Sequence, residues 1–317
     1  MTNEPARPKG RRRLWRWAFV VLLVPVLVLG LWLPLISRAE PERFAARRAA
    51  LVAAAPESVR PEQGGFVSQA VSLRATNGLA VNLRVLRPAA TPGKLPLIIV
   101  LGGHRTGRDA VDLLGAPGSF AVAALDYPYD GPERPRGIRQ VVATIPAARR
   151  ALEDTPAAVL LALDWLVQQP WADAERVELV GVSLGVPFAT VAGALDPRVK
   201  RVWLIHGGST LNEWMAHNLR PRFKSDAAHS VASWLAHRLA HGPSLEAEHW
   251  LPRIAPRPVV IIGAREDQRL PAPMVERLHA LAGEPKELIW MDGGHIDRRP
   301  EAVQRLLEIV RERIARP

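Results

Sequence analysis

Gly181-Val182-Ser183-Leu184-Gly185 follows the apolar run Val177-Glu178-Leu179-Val180 and opens the helix-like segment Val186-Pro187-Phe188-Ala189-Thr190-Val191-Ala192. The order strand, turn, helix around a G-x-S-x-G motif decides the reading of the whole chain. A serine carried on a sharp, strained bend needs neighbours without side chains, and Gly181 and Gly185 supply them. Such a bend exposes the Ser183 hydroxyl at the edge of a sheet. It also sets the N–H of Leu184 at a helix N-terminus, where a developing oxyanion is stabilised.

An acid and then a histidine are expected further along. Pro258-Val259-Val260-Ile261-Ile262-Gly263 is a short apolar, β-branched run of the kind that forms a strand buried on both faces. It leads into Ala264-Arg265-Glu266-Asp267-Gln268-Arg269-Leu270-Pro271, an acidic loop closed by proline. Glu287-Leu288-Ile289-Trp290-Met291 is the next strand, followed by Asp292-Gly293-Gly294-His295. The paired glycines let that loop bring His295 back over the end of the sheet.

In these three ordered motifs the chain resembles the α/β-hydrolase superfamily, in its serine esterase, dienelactone-hydrolase-like or prolyl-oligopeptidase-like branches. The resemblance runs from about Phe66 to the C-terminus. It implies Ser183 as nucleophile, His295 as general base and Asp267 as the carboxylate that orients the imidazole. Glu266 is the alternative acid; the family's acid often lies four residues before a proline, which fits Asp267 and Pro271. A second oxyanion donor is implied in the loop after Leu97-Ile98-Ile99-Val100-Leu101, namely Gly102-Gly103-His104-Arg105-Thr106-Gly107-Arg108. The family commonly has His-Gly where this chain has Gly102-Gly103. The donor expected here is the N–H of His104, with Gly103 next. The His104 imidazole either hydrogen-bonds within its loop or touches substrate.

Elsewhere the pattern alternates. Val67–Arg74 and Leu79–Leu86 flank Thr76-Asn77-Gly78, a hairpin signal. Phe120–Leu125 predicts a parallel strand ending at Asp126-Tyr127-Pro128, and Ala157–Val167 predicts a helix before the Ser183 strand. Arg201–Ile205 predicts a further strand, with His206-Gly207-Gly208 at its end, where His206 is near enough to the sheet edge to touch a ligand but is expected to be structural and hydrogen-bonded. Glu301–Ile314 predicts a terminal helix with Val303, Leu306, Leu307 and Val310 on one stripe. The fold class expected is α/β: a doubly wound, mostly parallel sheet of about eight strands. A helical cap is expected at about 209–252. There Val231, Trp234, Leu235 and Leu239 share one helix face that either packs on the core or forms a lid, and Trp214, Met215 and Trp234 are candidate pocket residues. His237 and His241 stand one helical turn apart, but no H-E-x-x-H pattern accompanies them and no metal is expected.

Composition fits one globular domain: 48% apolar and 23% charged residues, without cysteine. Disorder, a disulfide framework and a thiolate nucleophile are thereby excluded. Residues 1–16 form a basic leader in which Arg7, Lys9, Arg11, Arg12, Arg13 and Arg16 stand against Glu4 alone. Residues 17–36, Trp17 to Ile36, carry no charge. As a helix they would span roughly 30 Å, a bilayer's hydrocarbon core, with Trp15, Trp17 and Trp32 at the interfaces. The expectation is a single-pass membrane anchor with a cytoplasmic N-terminus. A cleaved signal peptide ending near Ser37-Arg38-Ala39 is the alternative. Residues 37–65 read as a linker, or from Ala39 a short helix, and 66–317 as the hydrolase domain. Nearly half of the net charge of +11 lies in the leader, and the remaining arginines are interspersed with acids, which excludes a nucleic-acid partner.

The activity expected is hydrolysis of a small-molecule carboxylic ester through an acyl-enzyme, with no metal or organic cofactor. A small peptidase, an acyltransferase, and a binding protein on a hydrolase fold are the rivals. Oligomeric state is left open.

Overall fold

In the computed structural model the described residues are 38–103, 106–113, 117–132, 134, 136–295 and 300–314, with isolated positions between 23 and 35. Contacts divide the chain into residues 1–39 and 40–317. The larger unit begins with a short helix, α1 (Glu42–Ala46), then β1 (Leu51–Pro56), β2 (Arg60–Glu62), β3 (Phe66–Ala75), β4 (Ala80–Pro88) and β5 (Leu95–Leu101). A 3-10 turn and α2 (Ala110–Leu113) lead to β6 (Ala121–Leu125), α3 (Gly137–Leu166), β7 (Ala172–Val182), α4 (Gly185–Leu195) and β8 (Arg201–Ile205). Four helices follow: α5 (Leu211–Leu219), α6 (Asp226–Leu239), α7 (Gly242–Leu245) and α8 (Ala247–Trp250). The chain closes with β9 (Val259–Ala264), α9 (Ala272–Leu281), β10 (Lys286–Met291) and α10 (Pro300–Ile314).

The ten strands form one mixed sheet in the order β1-β3-β4-β6-β5-β7-β8-β9-β10, with β2 on β3. From β6 through β10 every pairing is parallel; β1 to β4 add an antiparallel flank. Strand alternation splits the core. Leu97, Ile99 and Leu101 face a cluster with Leu160, Leu163, Phe188 and Val191 from α3 and α4. Ile98 and Val100 face a second cluster with Val111, Ile309 and Val310 from α2 and α10. Covered on both sides, β5, β6 and β9 are apolar without a break, as parallel strands are; β7 buries Glu178, which accepts from the Trp203 indole (2.7 Å).

Ten strands stand where about eight were expected, because the stretch 37–65 is not a linker. It holds α1, β1 and β2, and Phe44 is 0% exposed. β1 pairs antiparallel with β3 but is exposed along most of its length. Leu51–Pro56 therefore has no alternation to announce a strand. The helix before β7 also starts at Gly137, twenty residues earlier than the apolar stripe at Ala157 suggested. Its first turns leave Val141 and Val142 exposed, so no core-facing periodicity marks them.

Among the described residues no helix is long and apolar enough to cross a membrane. The expected span 17–36 falls mostly outside them. The leader 1–16 lies wholly outside.

Candidate active site

β7 ends at Val182, and the backbone of Ser183 turns left-handed (φ 51°) before α4 begins at Gly185. A side chain is excluded on both flanks. A Cβ on Gly181 would sit 2.7 Å from the Ala189 methyl, and one on Gly185 would press into the Leu101 carbonyl oxygen. Strand β5 thus lies directly against the bend. The Ser183 N–H donates to Ile205 O (2.8 Å), and its carbonyl accepts from Val186 N (3.0 Å). Backbone bonds on both sides hold a conformation that costs a serine about 1–3 kcal/mol.

The structure brings Ser183, His295 and Asp267 into one line. Ser183 Oγ lies 2.9 Å from His295 Nε2, and His295 Nδ1 lies 2.7 Å from Asp267 Oδ2. A carboxylate only accepts, so Nδ1 carries the ring proton and Nε2 is left to accept from the hydroxyl. Ser183 and Asp267 are buried, 8% and 7% exposed. Burial is the largest influence on the Asp267 carboxyl and pushes it up. The His295 hydrogen bond and charge, with the Arg269 N–H, outweigh it and hold the group below its ordinary value. Asp267 Oδ1 accepts from the N–H groups of Arg269 (2.9 Å) and Leu270 (3.0 Å). Glu266, the alternative acid, is exposed, and among the described residues it contributes its N–H, to Gly293 O (3.0 Å). Together with Arg265 N on Met291 O (2.9 Å), that bond ties the acid loop to the loop carrying His295.

Helix α5 braces the same loop. His217 Nε2 donates to Gln268 O (2.7 Å), and Asn218 Nδ2 donates to Arg269 O (2.9 Å). At its other end, Glu246 accepts from Leu211 N (2.9 Å) and from His237 Nε2 (2.7 Å). Trp214 and Met215 are half-buried on α5, and Trp234 lies on α6 under the Arg238 guanidinium at 4.0 Å. None of these three takes part in the hydrogen bonds at Ser183. The face expected to unite Val231 with Trp234 is not buried: Val231 is 65% exposed, and α6 instead buries Ser233 and His237. Polar contacts seat α6, with His229 Nε2 donating to Ala216 O (2.8 Å) on α5 and His237 on Glu246, so apolar periodicity misplaced its inner face.

The loop after β5 is fixed carbonyl by carbonyl. Tyr127 donates its hydroxyl to Gly102 O (2.6 Å), and Thr106 Oγ1 donates to Gly103 O (2.8 Å). Asp126 Oδ1 accepts from Arg108 N (2.9 Å). Tyr127 sits edge-on to Phe188 at 5.9 Å, and burial pushes its phenol well above the ordinary range. A trans peptide points its C=O and N–H in opposite directions. Anchoring Gly102 O therefore fixes where the Gly103 N–H aims. Gly103 is buried, and among the described residues neither its N–H nor that of Leu184 reaches a protein acceptor. Buried N–H groups are rarely left so. His104, expected as the second donor, lies outside the described residues. Sequence reading saw Tyr127 only as the end of a strand; the signal is a polar aromatic following a fully buried run.

His206 follows β8 beside Ser183 and also turns left-handed (φ 53°). Its N–H donates to Ile262 O (2.8 Å). Its Nδ1 lies 3.8 Å from Asp267 Oδ2 and has no hydrogen-bond partner among the described residues. The structural hydrogen bond expected of its ring is therefore not made at Nδ1.

No protein-family model matches the sequence, and no curated protein does. Solved structures do. An acetyl xylan esterase from Paenibacillus sp. R4 is 18% identical with a TM-score of 0.63, over 85% of this chain and 92% of that one. Acetyl xylan esterase 1 from Thermoanaerobacterium sp. JW/SL YS485 is 17% identical with a TM-score of 0.60, over 84% and 92%. An alpha/beta hydrolase from Penicillium sp. sh18 is 17% identical with a TM-score of 0.56, over 78% and 98%. Sheet order, the bend at Ser183 and these likenesses together assign the chain the α/β-hydrolase fold.

Proposed function

We propose that the chain is a serine hydrolase that cleaves carboxylic esters. The observation carrying this reading is the unbroken hydrogen-bonded line Ser183 Oγ, His295 Nε2, His295 Nδ1, Asp267 Oδ2, at 2.9 and 2.7 Å. His295 takes the Ser183 proton as the oxygen attacks the ester carbonyl, and Asp267 stabilises the imidazolium that forms. The N–H groups of Leu184 and Gly103, with the loop's His104, receive the tetrahedral oxyanion, each donor contributing roughly 3 kcal/mol. His295 then gives its proton to the leaving alcohol. Water repeats the sequence on the acyl-enzyme and releases the acid. Two of the structural neighbours are acetyl xylan esterases, which favours an ester over an amide as substrate. The helices between β8 and β9 serve as a cap over the acyl or alcohol side, with Trp214, Met215 and Trp234 as its pocket candidates. Short p-nitrophenyl esters test the reading: the wild-type chain should turn them over and Ser183→Ala should not. Equal turnover by both would refute it.

The basic leader and the apolar run 17–36 support a membrane-anchored form, with the catalytic domain outside the cytoplasm. Leu31 and Leu35, 74% and 71% exposed, offer the apolar surface that lipid would cover. A retained leader that resists alkaline extraction from membranes would bear this out; a shortened chain released to the soluble fraction would contradict it.

A further inference from the structure

Beside the line from Ser183 to Asp267 stands a group that acyl transfer does not use. His206 is 7% exposed, its Nδ1 has no partner among the described residues, and its backbone is left-handed. Two unfavourable features at one residue ask for a reason. The left-handed backbone is strained for a residue with a side chain, and the unsatisfied buried nitrogen is unfavourable too. His206 Nδ1 faces Asp267 Oδ2 at 3.8 Å, the same oxygen that His295 Nδ1 meets at 2.7 Å. The two imidazoles lie 5.7 Å apart, tilted by 59°. One donor atom from each of His206, Asp267 and His295 falls within 4.8 Å of the other two.

We propose that His206, Asp267 and His295 form a binding site for a divalent metal ion of the zinc type, and that its occupation switches acyl transfer off. Two imidazoles and one carboxylate are a donor set that Zn2+ accepts, with a fourth position for water. A tetrahedral ion with ligands at about 2.0–2.1 Å spaces its ligand atoms about 3.3 Å apart. The observed 3.8 and 2.7 Å bracket that spacing. Drawing His206 inward and easing His295 away from Oδ2 completes the geometry.

The off-state follows from proton placement. In the relay, His295 holds its proton on Nδ1 and accepts with Nε2. Metal ions take a lone pair from neutral imidazole. Coordination through Nδ1 therefore requires the ring proton on Nε2, with no net proton gained or lost by the ring. Nε2–H then faces Ser183 Oγ as a donor and cannot take the hydroxyl proton. Asp267 exchanges its role as acceptor from His295 for a bond to the ion. The inhibitory consequence rests on the serine-hydrolase reading; binding of the ion does not.

ZnCl2 and CoCl2 are the probes, with the full-length chain in detergent after chelator treatment. Zn2+ should inhibit p-nitrophenyl ester turnover, EDTA should restore it, and Co2+ should give the visible bands of a tetrahedral site. His206→Asn keeps a residue that tolerates the left-handed backbone and removes the ligand. Each protein is compared with itself, with and without metal. The Zn2+ concentration for half-inhibition should rise at least roughly a hundredfold in His206→Asn, since changes even outside the ligand set cost 10–100-fold in affinity. If His206→Asn fails to fold, His206→Gly, which relieves the backbone, replaces it. Inhibition equal in wild type and variant, or no effect of Zn2+ on an active wild type, overturns the site. Should the wild type turn over no ester, calorimetric Zn2+ binding and the Co2+ bands still decide: binding that depends on His206 upholds the site while the hydrolase reading falls.

Discussion

At the end of β7 the backbone turns left-handed at Ser183, and at the end of the neighbouring β8 it does so at His206. Each N–H bonds the carbonyl of the next strand, Ile205 O for Ser183 and Ile262 O for His206. The side chains differ. Ser183 Oγ meets His295 at 2.9 Å, while His206 Nδ1 has no hydrogen-bond partner among the described residues. A third non-glycine residue of this conformation, His241 (φ 56°), has a local reason. It follows α6 at the position where left-handed residues end helices, and Arg149 Nη1 caps the carbonyls of Arg238 and Leu239 just before it. The same backbone strain thus has three settings: a relay, a helix end, and a group aimed at a carboxylate with no partner among the described residues. The third is the setting that the proposed metal site explains.

The comparison breaks most visibly at Ser183. His295→Ala should lower kcat by roughly 10^4–10^6-fold with circular dichroism unchanged, because nucleophile and base act as a unit. An active His295→Ala would remove the relay from one side of the comparison. Asp267→Asn should cost about 10^4-fold by favouring the wrong tautomer, whereas Glu266→Gln, at an exposed position, should leave kcat nearly unchanged. A reversed order in steady-state kinetics would reassign the acid.

Tyr127→Phe should lower kcat by roughly tenfold and leave KM alone, since it loosens the aim of one oxyanion donor that is worth more when fully in place. A rise in KM with kcat intact would make Tyr127 a substrate contact instead. The smallest effect concerns His241. Burial, with repulsion from Arg149 and Arg43, pushes its imidazole down to about 4, against about 6.5 in an unfolded chain. Between those values the unfolded state binds more protons, so stability rises as pH goes from about 4 to 6.5. Denaturant midpoints of His241→Asn should rise less steeply over that window. Some slope should remain, because burial also pushes His206 down to about 4. An unchanged slope would remove His241 from this account.

What the sequence showed and what it hid divide along physical lines. The central strands announced themselves because burial on both faces leaves Leu97–Leu101 and Val259–Ile262 apolar throughout. Ser183, Asp267 and His295 were legible because glycine spacing and a loop-ending proline mark sharp turns at strand ends. β1 was hidden because an exposed edge strand such as Leu51–Pro56 shows no alternation. The seat of α6 was hidden because His229 and His237 hold it, and polar contacts leave no hydropathy trace. Tyr127 and His206 were seen only as strand endings: their roles depend on Gly102 and Asp267, distant in the chain.

The central claim is a nucleophilic Ser183 activated through His295. Treating the folded full-length chain with a fluorophosphonate and locating the adduct by mass spectrometry tests it most directly. One adduct on Ser183, lost in His295→Ala, is the predicted result. No adduct, or an adduct on another residue that persists in Ser183→Ala, would contradict it.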